Sequence, residues 1–246
     1  MNNTKIDWCD KSLNPVVGCD GGCGYCYAKK MNQRYQWIKD FSKPQYFPER
    51  LQQLNTRKGY SIFMDSMSDI GHWEEQWMQE IFNACDKNSQ HRYLFLTKNP
   101  KGVFDAVIDK VFTPRENMWF GFSVISQQML DIMAFQARYL PNNFFISIEP
   151  IHAPVDLMRI HPVNFDVLFN FLNGGQYWFL GGDQLGRRLQ WIIVGAETGN
   201  RKGKVIPKRE WIESIADQCK AANVPLFMKG SLSEIWGEPL IQEFPW

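Results

Sequence analysis

Short apolar runs alternate with longer amphipathic stretches along most of this chain, and the alternation predicts strands and helices in turn. The runs are Ser61 to Met64, Tyr93 to Leu96, Met118 to Val124, Phe144 to Ile148, Trp191 to Val194 and Val224 to Met228. Each reads as a strand, and Ser61 to Met64 as one buried on both faces. Between them, helical spacing links Trp77, Ile81, Ala84 and Cys85, then Phe104, Val107, Ile108 and Val111, then Trp211, Ile212, Ile215, Ala216 and Cys219. A further helix is expected from Gln127 to Leu140, and Asn99-Pro100 supplies an N-cap with proline at the first helical position. With a first strand at Val16 to Gly18, the chain reads as α/β, a full or partial (β/α) barrel of parallel strands joined by right-handed crossovers.

Two stretches qualify the repeat. Tyr27 to Phe41 carries Ala28, Met31, Tyr35 and Ile38 near the helical period, which predicts an amphipathic helix buried through those residues. Ser42 to Tyr60 then reads as a connection with a short helix. Residues 156–190 break the alternation: an apolar stretch from Phe165 to Leu172 is followed by Gly174-Gly175, aromatics, and Gly181-Gly182. Glycine pairs around aromatics predict a hairpin or hinged flap inserted into the domain, with an irregular packing loop as the alternative.

Composition narrows the class. A chain of 246 residues with 44% hydrophobic and 22% charged residues is expected to be one folded domain, neither disordered nor a coiled coil. A formal charge of +1 supplies no global field for a polyanion, so any such site must be local. The chain opens without a basic segment and apolar run, and contains no stretch of about 18 apolar residues, so a cytoplasmic protein outside the membrane is expected.

The sharpest chemistry lies in Gly18 to Ala28, G-C-D-G-G-C-G-Y-C-Y-A, where Cys19, Cys23 and Cys26 stand as C-x3-C-x2-C. Three of the six cysteines within eight positions is an improbable accident, and the interleaved glycines let the backbone wrap around a metal centre. Three thiolates leave a four-iron, four-sulfur cluster one ligand short, and an open coordination position marks a catalytic centre. Cys9 is the alternative fourth ligand, which would make a closed cluster or a zinc site. Cys85 and Cys219 fall on apolar helix faces and are expected in the core. The four histidines show no ligand spacing, although His72 follows a strand end and could act on a proton.

The three-Cys spacing, with Tyr25 just before the third Cys, resembles the cluster motif of radical S-adenosylmethionine (SAM) enzymes. The opening T-K-I-D-W-C-D-K-S-L-N-P-V-V-G-C more narrowly resembles a phage-associated three-Cys-motif family of radical-SAM-like proteins. That resemblance implies a partial barrel, a 4Fe-4S cluster, SAM bound at its open iron, and reductive cleavage to a 5'-deoxyadenosyl radical. It further implies an electron donor such as flavodoxin or ferredoxin, a separate partner protein, and a substrate that is a nucleotide, a nucleic acid or a host component.

Parallel barrels collect functional groups where strands end, and polar residues follow these apolar runs directly. Asp65-Ser66-Met67-Ser68-Asp69, Lys98, Ser123, Glu149, Glu197 and Lys229 all stand there. By the resemblance, Ser66, Ser68 and Asp69 occupy the place of the motif for the SAM amino group, with D-S-M-S-D instead of two glycines and glutamate. Ser123 and Glu149 would meet the ribose, carboxylate or amino group, and Tyr25 belongs to the cluster motif. Lys98, Glu197, Arg201 and Lys229 remain for substrate contact or proton transfer. The run Arg201, Lys202, Lys204, Lys208 and Arg209 could meet a phosphate or simply be solvated. Two other classes stay open: a zinc-stabilised binding module on Cys9, Cys19, Cys23 and Cys26, and a redox-sensing cluster without SAM.

Overall fold

Met118–Val124 shows why the fold is layered: all seven residues are buried, so this strand needs cover on both faces. The computed structural model describes residues 1–137, 140, 143–162, 170–172, 176–179, 182–185 and 189–246. In chain order its strands are β1 (Asn2–Asn3), β2 (Lys11–Ser12), β3 (Val16–Val17), β4 (Gln45–Tyr46), β5 (Ser61–Phe63), β6 (Arg92–Thr97), β7 (Met118–Val124), β8 (Phe144–Ile148), β9 (Gln176–Phe179), β10 (Gly182–Leu185), β11 (Trp191–Val194) and β12 (Leu226–Met228). The helices are α1 (Tyr27–Tyr35), α2 (Glu75–Lys87), α3 (Pro100–Ile108), α4 (Gln127–Ala137), α5 (Arg209–Ala222) and α6 (Ser233–Trp236), with 3-10 turns at Pro48–Leu54, Ile70–His72 and Gly230–Leu232. None of the helices is long and apolar enough to cross a membrane, among the described residues.

Eight strands share one sheet in the order β1-β2-β5-β6-β7-β8-β11-β12. β1 lies antiparallel to β2, whereas β2 with β5, β5 with β6, β8 with β11, and β11 with β12 run parallel. The α/β alternation therefore holds, with a correction at its start. Val16–Val17 does not enter this sheet; it pairs antiparallel with β4, and Lys11–Ser12 takes the place beside β5. Pro15 explains the switch. It has no N–H for the ladder, which ends with Leu13 N donating to the Phe63 carbonyl, while the Pro15 carbonyl accepts from Phe47 N.

The chain packs as two compact units, 1–121 and 122–246, divided within β7. In the first, α2 buries Met78, Ile81, Phe82 and Cys85, with Phe82 stacked 3.7 Å from Phe112 and tilted against Phe95 at 4.9 Å. Asn99 caps α3 as the sequence predicts, but the buried face is Pro100, Val103 and Ala106, and Ile108 is exposed. The rotation follows from Gly102, whose backbone lies against Gly71: a Cβ there would overlap the Gly71 carbonyl oxygen. Gly102→Ala should therefore lower stability by about 1–3 kcal/mol, seen as a lower thermal midpoint. Gly24→Ala, with nothing near its new Cβ, should leave the midpoint unchanged.

α1 also departs from expectation. It ends at Tyr35, where Gln36 takes a left-handed conformation, and it buries Ala28 and Asn32 rather than Met31 and Tyr35. Asn32 is inside because its side chain donates to the Ile38 carbonyl and accepts from Ile38 N, closing the helix end. Met31, Tyr35 and Trp37 are left on the surface.

In the second unit, Phe122 stacks on Phe144 and Phe171 meets both rings edge-on. α5 buries Ile212, Ile215 and Cys219. The C-terminal segment covers the outer edge of β12: Met228 N donates to the Ile241 carbonyl and Glu243 N to the Leu226 carbonyl. Between β8 and β11 stand β9 and β10, an antiparallel pair outside the main sheet that places Gln176 opposite Leu185. The glycine pairs at 174–175 and 181, and the apolar residues 165–169, lie outside the described residues.

Candidate functional site

The cysteine loop leaves β3 through Gly18, whose φ of +113° suits only glycine and whose Cβ would strike the backbone of Phe41 and Pro44. Gly18 N donates to the Met67 carbonyl and Cys19 N to the Phe41 carbonyl, fixing the loop's entry at both sides. Its exit is fixed by helix geometry, because Cys26 is the N-cap of α1 and its Sγ accepts from Lys29 N at 3.4 Å. Cys19 and Cys26 pack against a small core of Val17, Ala28, Ile38, Phe41 and Met67.

All three thiols are free and half-buried. Burial pushes the Cys19 thiol up to about 11; the Gly21 N–H on its sulfur opposes this, and the Asp69, Cys26 and Asp20 charges add to it. Such a thiol becomes a thiolate when a cation shares its electron pair. Three sulfurs on a glycine-rich turn are the donor type that an iron-sulfur cluster takes. Among the described residues no three His, Cys, Asp or Glu side chains are gathered as a group that could hold a metal ion. Cys9 belongs to the N-terminal segment, where its Sγ donates to the Ile6 carbonyl oxygen over 3.8 Å.

The loop after β5 is bonded to the cysteine loop as one piece. Besides the Gly18 bond, Tyr27 Oη donates to the Ser66 carbonyl at 2.5 Å. Asn14 Oδ1 accepts from Met67 N at 2.8 Å and from Ser66 Oγ at 3.0 Å. His72 joins from the next turn, Nδ1 to Asp20 Oδ1 at 3.0 Å, and Lys98 Nζ lies 6.0 Å from the centre of the Tyr25 ring. Tyr25, Ser66, Ser68, Asp69 and Lys98 thus belong to one neighbourhood with the thiols.

Within it the acidic residues are structural anchors. Asp69 is buried and accepts from Gly71 N and Thr97 Oγ1 through Oδ1 and from Lys98 N through Oδ2. Asp65 accepts from Leu96 N and Ile70 N, and complete burial, reinforced by the Asp69 charge, holds its carboxyl well above the usual range. The hydroxyls of Ser66 and Ser68 are half-buried, and Ser68 Oγ accepts from Trp73 Nε1 at 3.0 Å.

In the second unit a separate group forms at the carboxyl ends of β8, β11 and β12. Parallel register sets Ser147 beside Ile193, and Ile193 beside Phe227, so Glu149, Gly195 and Lys229 follow on the same face. Lys229 Nζ donates to Glu149 Oε1. Gly195 makes room for this pair: a Cβ there would lie 2.9 Å from Lys229 Cδ and 3.4 Å from Glu149 Cδ. One layer below, the Ser147 hydroxyl is fully buried with no hydrogen-bond partner among the described residues. Phe122 packs on the opposite face with Phe144, so alternation puts Ser123, itself buried, on the Ser147 side.

Glu197 is engaged separately, by a bidentate bond from Arg201, Nε to Oε1 at 2.6 Å and Nη2 to Oε2 at 2.8 Å, with His152 Nε2 3.5 Å from Oε2. Arg201 holds this carboxyl below its ordinary 4.5, with His152 adding to the effect. A depressed folded value means stability that is present above 4.5 and lost as pH falls through the folded value. Between about pH 5 and pH 3, wild type should therefore lose more stability than Arg201→Ala in denaturant titrations; parallel losses would remove this assignment. The basic run does not act as a block: Arg209 pairs with Glu213 and donates to the Trp236 carbonyl.

Sequence reading finds the thiols and the strand-end residues, with Gly195 in the strand-end segment V-G-A-E-T-G, but gives no role to Asn14, Thr97 or Ser147. Asn14 is within reach, because an Asn just before Pro15 beside a metal-type loop is a turn signal. Thr97 and Ser147 depend on which strands become neighbours.

A family model described as "Protein of unknown function (DUF5131)" matches residues 3–239. No curated protein and no solved structure matches the chain.

Proposed function

We propose that this chain, which belongs to the DUF5131 family, is a radical SAM enzyme whose parallel strands close as a partial (β/α) barrel. The observation that carries the reading is the bonded pair of loops, where the three-Cys turn and the strand-end loop after β5 share the Gly18, Asn14 and Tyr27 hydrogen bonds. Cys19, Cys23 and Cys26 would hold a 4Fe-4S cluster with one open iron. When bound, the cluster supplies one electron for reductive cleavage of SAM to methionine and a 5'-deoxyadenosyl radical that takes a hydrogen atom from the substrate.

The protein's own part is to bind, orient and exclude water. Asn14 and Asp69 fix the backbone from Ser66 to Asp69; Ser66 Oγ, which gives its proton to Asn14, and Ser68 Oγ, which accepts from Trp73, keep lone pairs to accept from the amino group of SAM. The resemblance assigns Ser123 and Glu149 to the remaining polar groups of SAM, which leaves Lys98 and Lys229 for substrate contact and proton transfer; within the second unit, Glu149 holds the Lys229 ammonium. Glu197 is assigned to positioning through Arg201.

Electron paramagnetic resonance of the reduced protein tests SAM binding directly. SAM should change the cluster spectrum in wild type, and Ser66→Ala should weaken the change. A protein carrying zinc and no iron, or a cluster spectrum indifferent to SAM, would contradict the proposal.

A further inference from the structure

A cavity of about 550 Å³ opens beside the cysteine loop within the first unit, a volume that accommodates a small-molecule ligand. Its wall divides by chemistry. One part is apolar and aromatic, with Tyr27, Met31 and Trp37, all substantially exposed although a globular fold ordinarily covers such side chains. Another part is cationic, with Lys5 and Arg50; among the described residues no Asp or Glu lines the cavity, and the charge that acts on Arg50 is that of Glu49, outside the wall.

Arg50 is held in place rather than neutralised. Its Nη1 donates to the Asn14 carbonyl at 2.6 Å, its guanidinium lies 4.0 Å from the Phe47 ring centre, and no ion pair engages it among the described residues. Partial burial lowers the cost of desolvating it further, so an anion arriving here gains a charge-assisted bond. The same absence of carboxylates disfavours SAM, whose sulfonium and ammonium groups are cationic.

We propose that this cavity binds a nucleotide unit, with the phosphate on Arg50 and Lys5 and the base against Trp37, Met31 and Tyr27. A flat ring joined to a phosphate is the chemistry that uses both parts of the wall. The outer face of α1 extends the same pattern: Tyr35 stacks on Trp37 at 5.3 Å, and the Arg34 guanidinium lies 5.3 Å from the Tyr35 ring centre. That face suits a second nucleotide of a strand. Tyr27 follows Cys26, and Val17 and Met67 belong both to the cavity wall and to the core under Cys19 and Cys26. The role of the nucleotide as the radical's substrate rests on the function proposed above; its binding does not.

Calorimetric titration of wild type and of Cys23→Ser with AMP, with UMP and with a short single-stranded oligonucleotide separates the two. Both proteins should bind, and Trp37→Ala and Arg50→Ala should each weaken binding about tenfold. Tighter, salt-dependent binding of the oligonucleotide identifies a strand as the source, and equal binding identifies the free nucleotide; either supports the site. Trp37 is 43% exposed, so its replacement reports on binding even if Arg50→Ala does not fold. Failure of all three probes to bind, or binding indifferent to Trp37→Ala, would overturn the proposal.

Discussion

Cys23→Ser is expected to abolish iron binding, together with the brown absorbance of the cluster and any SAM cleavage, while Cys9→Ser keeps all three. Cys23 sits between the two fixed ends of the loop, and its sulfur donates to the Gly21 carbonyl oxygen over a long 3.9 Å. The fold does not depend on that contact, so the variant should keep the wild-type far-ultraviolet circular dichroism. The loss would then belong to the metal centre. Cys19 and Cys26 would give a less clean result, because both also pack against the local core and Cys26 caps α1. Iron and sulfide analysis of anaerobically purified proteins measures the effect. Loss of metal from Cys9→Ser would instead support a four-cysteine site.

Asp69→Ala should produce the largest loss of stability of any substitution outside the apolar core. It removes the acceptor for Gly71 N, Lys98 N and the Thr97 hydroxyl, and an unmatched buried donor costs about 1–3 kcal/mol each. The damage would spread to function, since the same carboxylate ties the loop after β5 to the end of β6. Asp69→Asn is the instructive comparison. Its amide oxygen can still accept from Gly71 N and Thr97, but its NH2 faces the Lys98 N–H, so it should fall between wild type and alanine in chemical denaturation. If Asp69→Ala unfolds at the wild-type midpoint but loses SAM binding, the residue is a ligand group rather than an anchor.

Much of this architecture was legible before any coordinates. Met118–Val124, Phe144–Ile148 and Trp191–Val194 are strands with the bounds their apolar runs give. Their composition leaves no alternative face to expose, so local sequence decides. The edges obeyed other forces. Val16–Val17 is as apolar as any strand, yet Pro15 interrupts the ladder and sends it to β4. In α1, helical spacing pointed to Met31 and Tyr35, but two hydrogen bonds from Asn32 to Ile38 turned the helix and put those side chains outside.

The candidate site divides the same way. Three thiols within eight positions are visible in one dimension because their chemistry is local. Gly195 is not, because its meaning depends on Glu149 and Lys229 arriving on either side of it. Asp69 illustrates a further limit: sequence placed it at a strand end, as a polar residue free to meet a ligand, whereas burial and three donors from this chain commit both of its oxygens.

The most direct test of the central claim is anaerobic incubation of the iron-loaded protein with SAM and dithionite, followed by chromatography for 5'-deoxyadenosine. Wild type should yield 5'-deoxyadenosine and methionine in equal amounts, and Cys23→Ser neither. Neither product from a protein shown to hold its cluster, with and without nucleotide added, would contradict the claim.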